Sequence, residues 1–411
     1  MKLLAAVLLV CSGTLASAST ADAPPAFELR WGSFGTAPGL FENPEAVAVD
    51  DSGNVYVADF SNSRVEKFTV AGEFVQTWGG PGAGDGQFAN TSGVAVSSAG
   101  DVYVADYLNH RVQRFTRAGV FVSKWGSQGA GDGQFQRPDA VAVDPAGNVY
   151  VVDSYNHRVQ KFTATGSFVT KWGSFGAGDG QFNQPASVAV DRSGIVYVTD
   201  AYNNRIERFT SAGAFLSKWG SFGAGPGQFY SPQGIAVDDS GNVYVADYNN
   251  HRMQKLSSTG AFLAQWGSFG SADGQFRSPA DVAVLRSDLI FTVEWDGQRV
   301  QRFGDPVLGV EAPEPARMPK IRAFPNPTHG ALSATFELPE RGHVLADVLD
   351  MSGRLVAHLA EGEFDSGIHL FSWNGLESRG VPTRPGVYFI RATFDGSSRR
   401  LVTERKIVLL R

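Results

Sequence analysis

Phe135–Ser174 reads FQRPDAVAVDPAGNVYVVDSYNHRVQKFTATGSFVTKWGS. Val141–Val143 is a short apolar run, and Pro145-Ala146-Gly147-Asn148 is turn chemistry. Val149–Asp153 is β-branched and aromatic, the pattern of a strand. Ser154–His157 is polar and reads as a loop. Arg158–Thr163 predicts a third strand, Thr165-Gly166 a turn and Phe168–Trp172 a fourth strand. Four short antiparallel strands in roughly fifty residues are the content of one propeller blade.

The stretch recurs. Copies begin at Phe41, Phe88, Phe135, Phe182, Phe229 and Phe276, and Trp-Gly pairs stand at Trp31, Trp78, Trp125, Trp172, Trp219 and Trp266, each 47 residues from the next. The copy from Phe276 supplies three strands and then meets Gly304-Asp305-Pro306. Its fourth strand is expected at the other end of the chain, where Phe27–Gly32 matches Phe168–Gly173 in pattern and has no copy of its own. The expected fold is therefore all-β: a six-bladed β-propeller over 26–304 whose N-terminal strand closes the last blade, then a Pro-rich linker over 305–320 and a small immunoglobulin-like β-sandwich over 321–411. The regular tryptophans are expected to pack between adjacent sheets.

Composition narrows the function. The chain has 411 residues, a formal net charge of -6 and 48 glycines, which suit many short strands and tight turns. Residues 26–304 hold 21 basic and 27 acidic side chains, the wrong balance for a nucleic-acid partner. Lys2, the apolar run Leu3–Val10 and Ala16-Ser17-Ala18 read as a secretory signal over 1–18, too short to span a bilayer. No other stretch reads as a transmembrane helix. The single cysteine, Cys11, falls inside this signal, so the mature chain is expected to carry no disulfide and no cysteine-ligated metal.

Pro-x-x-Val-Ala-Val-Asp, Gly-Asn-Val-Tyr-Val-Ala-Asp and Asn-His-Arg-Val-Gln-Lys-Phe, with Asn109-His110-Arg111 and Asn156-His157-Arg158 as examples, resemble the NHL repeat. The resemblance implies a six-bladed propeller. It leaves function open among RNA-binding and ubiquitin-ligase-associated modules, extracellular sensor domains and a zinc-dependent lyase acting on peptidyl-hydroxyglycine. The tail, with Phe324-Pro325-Asn326-Pro327, Trp373-Asn374-Gly375 and Pro385-Gly386-Val387-Tyr388, resembles the FlgD-like immunoglobulin-type domain and the related sorting domain of type IX secretion. That implies a secreted or cell-surface protein of a bacterium with an outer membrane.

Candidate site residues come from the loop after each second strand. Asp59, Asp106, Asp153, Asp200, Asp247 and Glu294 end those strands, and Arg64, Arg111, Arg158, Arg205, Arg252 and Arg299 open the next. Each pair reads either as an ion pair bracing its loop or as part of a polar ring at the channel mouth. Phe60, Tyr107, Tyr155, Tyr202, Tyr248 and Trp295 follow the acids and read as recognition groups or as packing. The zinc-lyase resemblance directs attention to the loop position held by Ser63, His110, His157, Asn204, His251 and Gln298. Neither alternating set is a histidine triad, which leaves His157 and His251 as weak metal candidates. Asp85, Asp132, Asp179 and Asp273 sit in Gly-rich turns without the ligand spacing of a calcium loop. Glu45, Asp139, Asp281 and Glu294 are the carboxylates that a lactonase-type channel site would draw on. The ligand face is thus expected to comprise Tyr107, His110, Arg111, Tyr155, His157, Arg158, Tyr202, Arg205, Tyr248, His251, Arg252 and Trp295. No complete catalytic set is present, so the expected function is a monomeric binding scaffold for an extracellular protein, peptide or glycan, without a required cofactor. The competing reading is an extracytoplasmic lyase or lactonase with zinc or calcium in the channel.

Overall fold

Valine-rich second strands such as Val149–Asp153 are buried on both faces, while fourth strands such as Phe168–Trp172 alternate. That gradient orders each sheet from an enclosed interior to a solvated edge. The computed structural model describes residues 24–285, 289–304, 321–324, 328, 332–338, 341–365, 367–377, 381–396 and 400–410. The expected signal over 1–18, with Cys11, and the linker over 305–320 lie outside them, as do Pro325, Asn326 and Pro327. The described residues fall into two compact units divided after Leu308.

The first unit opens with β1 (Ala26–Trp31). Sheet I then comprises β2 (Pro44–Val49), β3 (Val55–Asp59), β4 (Arg64–Phe68) and β5 (Phe74–Gly79). Sheet II is β6 (Thr91–Val96), β7 (Val102–Asp106), β8 (Arg111–Phe115) and β9 (Phe121–Trp125). Sheet III is β10 (Pro138–Val143), β11 (Val149–Asp153), β12 (Arg158–Phe162) and β13 (Phe168–Trp172). Sheet IV is β14 (Pro185–Val190), β15 (Val196–Asp200), β16 (Arg205–Phe209) and β17 (Phe215–Trp219). Sheet V is β18 (Pro232–Val237), β19 (Val243–Asp247), β20 (Arg252–Leu256) and β21 (Phe262–Trp266). Sheet VI is β22 (Pro279–Leu285), β23 (Leu289–Glu294) and β24 (Arg299–Gly304), with β1 as its fourth strand. β1 pairs antiparallel with β24 from Ala26↔Gly304 to Trp31↔Val300, as the pattern match predicts.

These are propeller-like sheets. Their first strands lie side by side, β2 by β6, β6 by β10, β10 by β14, β14 by β18 and β18 by β22, and β22 meets β2 again. The first strand of each copy is longer than its apolar run suggests. β10 begins at Pro138 and shifts register before Val141. The loop Ser154–His157 is mostly a 3₁₀ turn, Ser154–Asn156.

Each apolar cluster fills the space between two sheets. Trp78 of sheet I packs on Tyr56 at 6.2 Å and on Phe115 of sheet II at 6.1 Å. Trp31 does the same between sheets VI and I, lying 6.3 Å from Phe291 and 5.7 Å from Phe68. A turn of the next sheet covers the indoles of Trp31, Trp78, Trp125, Trp172 and Trp219. Gly166 holds φ at 88°, and a Cβ there would sit 2.7 Å from the Trp125 ring, so only glycine fits. The tryptophans are core, at about 1.5–3 kcal/mol each from buried apolar area.

In the second unit, β25 (Ile321–Phe324), β26 (Leu332–Leu338) and β29 (Gly367–Trp373) form one antiparallel sheet. β28 (Leu355–Phe364), β27 (Gly342–Asp350), β30 (Gly386–Gly396) and β31 (Arg400–Leu409) form the other, in that order. One core joins them: Leu332, Ala334, Phe371 and Trp373 from the first with Val344, Val348, Ile390 and Phe394 from the second. Tyr388 donates its hydroxyl to the Arg384 carbonyl at 2.7 Å.

Candidate functional site: a loop face and the channel neck beneath it

The loop after each second strand is built on a buried ion pair. Register places Asp153 opposite Arg158 across β11 and β12. Arg158 Nε donates to Asp153 Oδ2 at 2.7 Å, and its terminal nitrogens donate to the carbonyls of Ala130, Gly131 and Gln134 in the incoming loop. Asp59–Arg64 (2.8 Å), Asp106–Arg111 (2.7 Å), Asp200–Arg205 (2.8 Å), Asp247–Arg252 (2.8 Å) and Glu294–Arg299 (2.5 Å) repeat the arrangement. All six acids have no exposed surface. Arg111, Arg158, Arg205 and Arg252, expected on the ligand face, are instead buried and spend their donors on the framework. Asn109, Asn156, Asn203 and Asn250 do likewise, each donating to its own acid and to a loop carbonyl.

The histidines are latches between sheets. His110 Nδ1 accepts the Arg137 N–H at 3.0 Å, His157 Nδ1 that of Gln184 at 3.0 Å and His251 Nδ1 that of Ser278 at 3.1 Å. Ser63, Asn204 and Gln298 take the same role with Asn90, Ser231 and Asn43. Latch and recipient both have positive φ, which turns the donor N–H toward the previous sheet. Burial pulls all three imidazoles below the usual histidine range, so they favour the neutral form. With Nδ1 accepting, the ring proton sits on Nε2, and no lone pair is left for a metal while the latch holds. This is the physical reason against His157 and His251 as metal ligands. Among the described residues no three His, Cys, Asp or Glu side chains converge closely enough to hold a metal ion.

The six aromatics are not equivalent. Phe60, Tyr107, Tyr248 and Trp295 directly follow the strand-ending acid, but sheets III and IV have Ser154 and Ala201 there, and their Tyr155 and Tyr202 come one residue later. The first four are partly buried and belong to sheets V, VI, I and II, a contiguous arc. Phe60 lies 5.1 Å from Trp295 and 5.7 Å from Tyr107. Tyr202 points outward with 63% of its surface exposed, whereas Tyr155, though exposed, meets the Tyr107 side chain. Arg137, unremarked in the sequence, stacks over Tyr155 at 4.6 Å and Tyr107 at 5.7 Å. Phe34, Phe175, Phe222 and Phe269, in the loops entering sheets I, IV, V and VI, are 66–69% exposed. Two of them sit against latches: Phe175 is 5.0 Å from His157 and Phe269 is 4.9 Å from His251.

Beneath the loops, the first strands leave a neck of about 30 Å³, lined by Glu45, Ser92, Asp139, Ser187, Gln233 and Asp281 together with small residues. That is room for one or two water-sized groups. Further along the same strands, Val49, Val96, Val143 and Val190 line a wider vestibule of about 430 Å³. The three acids each keep a sliver of surface toward the lumen but are walled in by protein. Burial pushes Asp139 and Asp281 up to about 7, and raises Glu45 well above its usual range with help from the charges of those two. Asp281 accepts the Val47 N–H at 3.0 Å, whereas Glu45 Oε2 is buried without a partner. Glu294, the fourth expected channel carboxylate, belongs to the Arg299 ion pair instead.

The NHL repeat model matches residues 41–68, 88–115, 135–162, 182–209 and 229–256. No curated protein matches the sequence. Among solved structures, a protein of unknown function from Bacteroides thetaiotaomicron is 20% identical, with TM-score 0.53, over 67% of this chain and 74% of that one. The gluconolactonase XC5397 of Xanthomonas campestris is 15% identical, with TM-score 0.49, over 64% and 86%. PorZ, a surface component of the type IX secretion system of Porphyromonas gingivalis, is 16% identical, with TM-score 0.43, over 89% of this chain and 51% of PorZ.

Proposed function

The chain carries five NHL repeats folded into propeller-like sheets, and we propose that they belong to a six-bladed β-propeller over 26–304 that serves as a secreted or cell-surface binding module. The occupant of its loop face is a protein or peptide. One observation carries this reading: the face exposes Phe34, Phe175, Phe222, Phe269 and Tyr202, while the arginines and asparagines that would read a glycan's hydroxyls are committed to the framework. Exposed aromatics clustered on one face are hot-spot chemistry. The second unit is proposed to be an FlgD-like, immunoglobulin-type sorting sandwich over 321–411. Its two packed sheets support this, as does Tyr388 reaching back to Arg384 in the manner of a tyrosine corner.

Capture of partners by the full chain from the medium and surface fraction of its own cells, followed by identification, tests the reading. Tyr202→Asp with Phe222→Asp should abolish capture and leave the melting temperature unchanged. Capture that survives both changes removes the loop face from consideration. The alternative is a lyase or lactonase using a metal in the channel, for which the neck carboxylates Glu45, Asp139 and Asp281 are the candidate ligands although they do not converge as a triad. Stoichiometric zinc or calcium in purified protein, lost in Glu45→Gln, would select it.

A further inference from the structure

Resting on the binding-module reading, we propose that the neck receives an alkylammonium group, presented by the bound protein or peptide through the arc Tyr248, Trp295, Phe60 and Tyr107. Three features place it there. Glu45, Asp139 and Asp281 line one cavity, and among the described residues none of them has a lysine or arginine as ion-pair partner. Glu45, enclosed by protein, leaves Oε2 without any hydrogen-bond donor. Two members of the aromatic arc lie within electrostatic reach of these acids: the charge of Glu45 acts on the phenols of both Tyr107 and Tyr248, which belong to sheets on opposite sides, and that of Asp139 acts on Tyr107.

Aromatic faces above uncompensated carboxylates are the chemistry of a cation site. The face already holds one cation in this way, Arg137 over Tyr107 and Tyr155. Neck size selects the cation. About 30 Å³ admits a compact ammonium with three donors, not a planar guanidinium fork. In sheet IV the small Ala201 follows the strand-ending acid in place of an aromatic, whereas Tyr155 and Arg137 cover the sheet III side.

The groups around the neck set the pH response. Asp139 and Asp281, pushed up to about 7, exchange their protons around neutrality, burial raises Glu45 in the same direction, Asp296 adds a negative charge near Tyr248, and Arg137 is the nearby cation turned onto the tyrosines. An incoming ammonium must displace protons from the acids, so its affinity should rise between about pH 6 and about pH 8.

The test is calorimetric titration of the full chain with Nα-acetyl-lysine methylamide, glycinamide, Nα-acetyl-arginine methylamide and Nα,Nε-diacetyl-lysine methylamide. Saturable binding of the lysine probe, at least roughly tenfold tighter than that of the diacetylated or arginine probe and tightening with pH, is expected. Glycinamide distinguishes a chain N-terminus from a lysine side chain as the source. Glu45→Gln should weaken the lysine probe by roughly tenfold or more, and Phe60→Ala with Trp295→Ala should do the same while leaving the acids in place. Equal affinity for charged and acetylated lysine, no binding of any ammonium probe, or full binding by folded Glu45→Gln overturns the proposal. Partner capture dependent on Tyr202 and Phe222 alongside a negative titration would sink the ammonium site alone. Loss of Tyr202 dependence would sink the binding-module reading.

Discussion

Asp153 and Arg158 show how one residue pair can serve the frame of a loop instead of its surface. A pair this deep costs heavily in desolvation, and it persists because every guanidinium nitrogen finds a carbonyl or carboxylate. Removing one partner strands the other: Asp153→Ala should cost about 3–5 kcal/mol in denaturant unfolding. A cost below about 1 kcal/mol would mean the pair acts as a surface bridge. The latches predict a graded series. His157→Ala leaves the Gln184 N–H unpaired and should cost about 1–3 kcal/mol. His157→Asn should recover most of that, since Asn204 performs the same task between sheets IV and V. Equal loss in both variants would argue for ring packing on Phe175 over the hydrogen bond.

At the level of elements, β1 is the consequential strand. It completes the hydrogen bonding of β24 and carries Trp31 into the space between sheets VI and I. Deleting 26–32 should cost at least the ~3–5 kcal/mol of a lost core tryptophan and broaden the melt of the whole first unit. An unchanged thermal transition would show that the two chain ends do not hold each other. The first strands also approach closely at the neck. A Cβ on Gly93 would lie 2.8 Å from Ala140 Cα and from the Asp139 carbonyl oxygen. Gly93→Val should therefore destabilise by about 1–3 kcal/mol through overpacking.

Across the molecule, two sheets depart from the rest in a way that pH will reveal. Gln113, Gln160, Gln254 and Gln301 donate to the strand-ending acid of their own sheets. Sheets I and IV have Glu66 and Glu207 there, and burial pushes both up to about 7 from an ordinary 4.5. Because the folded value is raised, their contribution is fully present below about pH 4.5 and is lost as pH rises through about 7. Asp139, Asp281 and Glu45 act with the same sign. Unfolding free energy should thus fall between about pH 4.5 and about pH 7.5, and Glu66→Gln with Glu207→Gln should remove up to a few kcal/mol of that fall. A double variant with the wild-type slope would show that neither glutamate titrates in this range.

Local pattern alone determined the sheets, their number of strands, the tryptophan packing and the pairing of Phe27–Gly32 with the last copy. Each follows from period, alternation and turn residues that act within one repeat or between identical repeats. The site was legible only in part. That a loop is polar and aromatic is written in its residues, but whether Arg158 faces a ligand or Asp153, whether His157 offers a lone pair or has spent it on Gln184, and which tyrosines share an axis with Glu45 depend on the neighbouring sheet. Those groups lie up to 255 residues apart in sequence, as Asn43 and Gln298 do. Only closing the chain upon itself brings them within hydrogen-bond range, and burial then decides which polar groups are free to meet a partner.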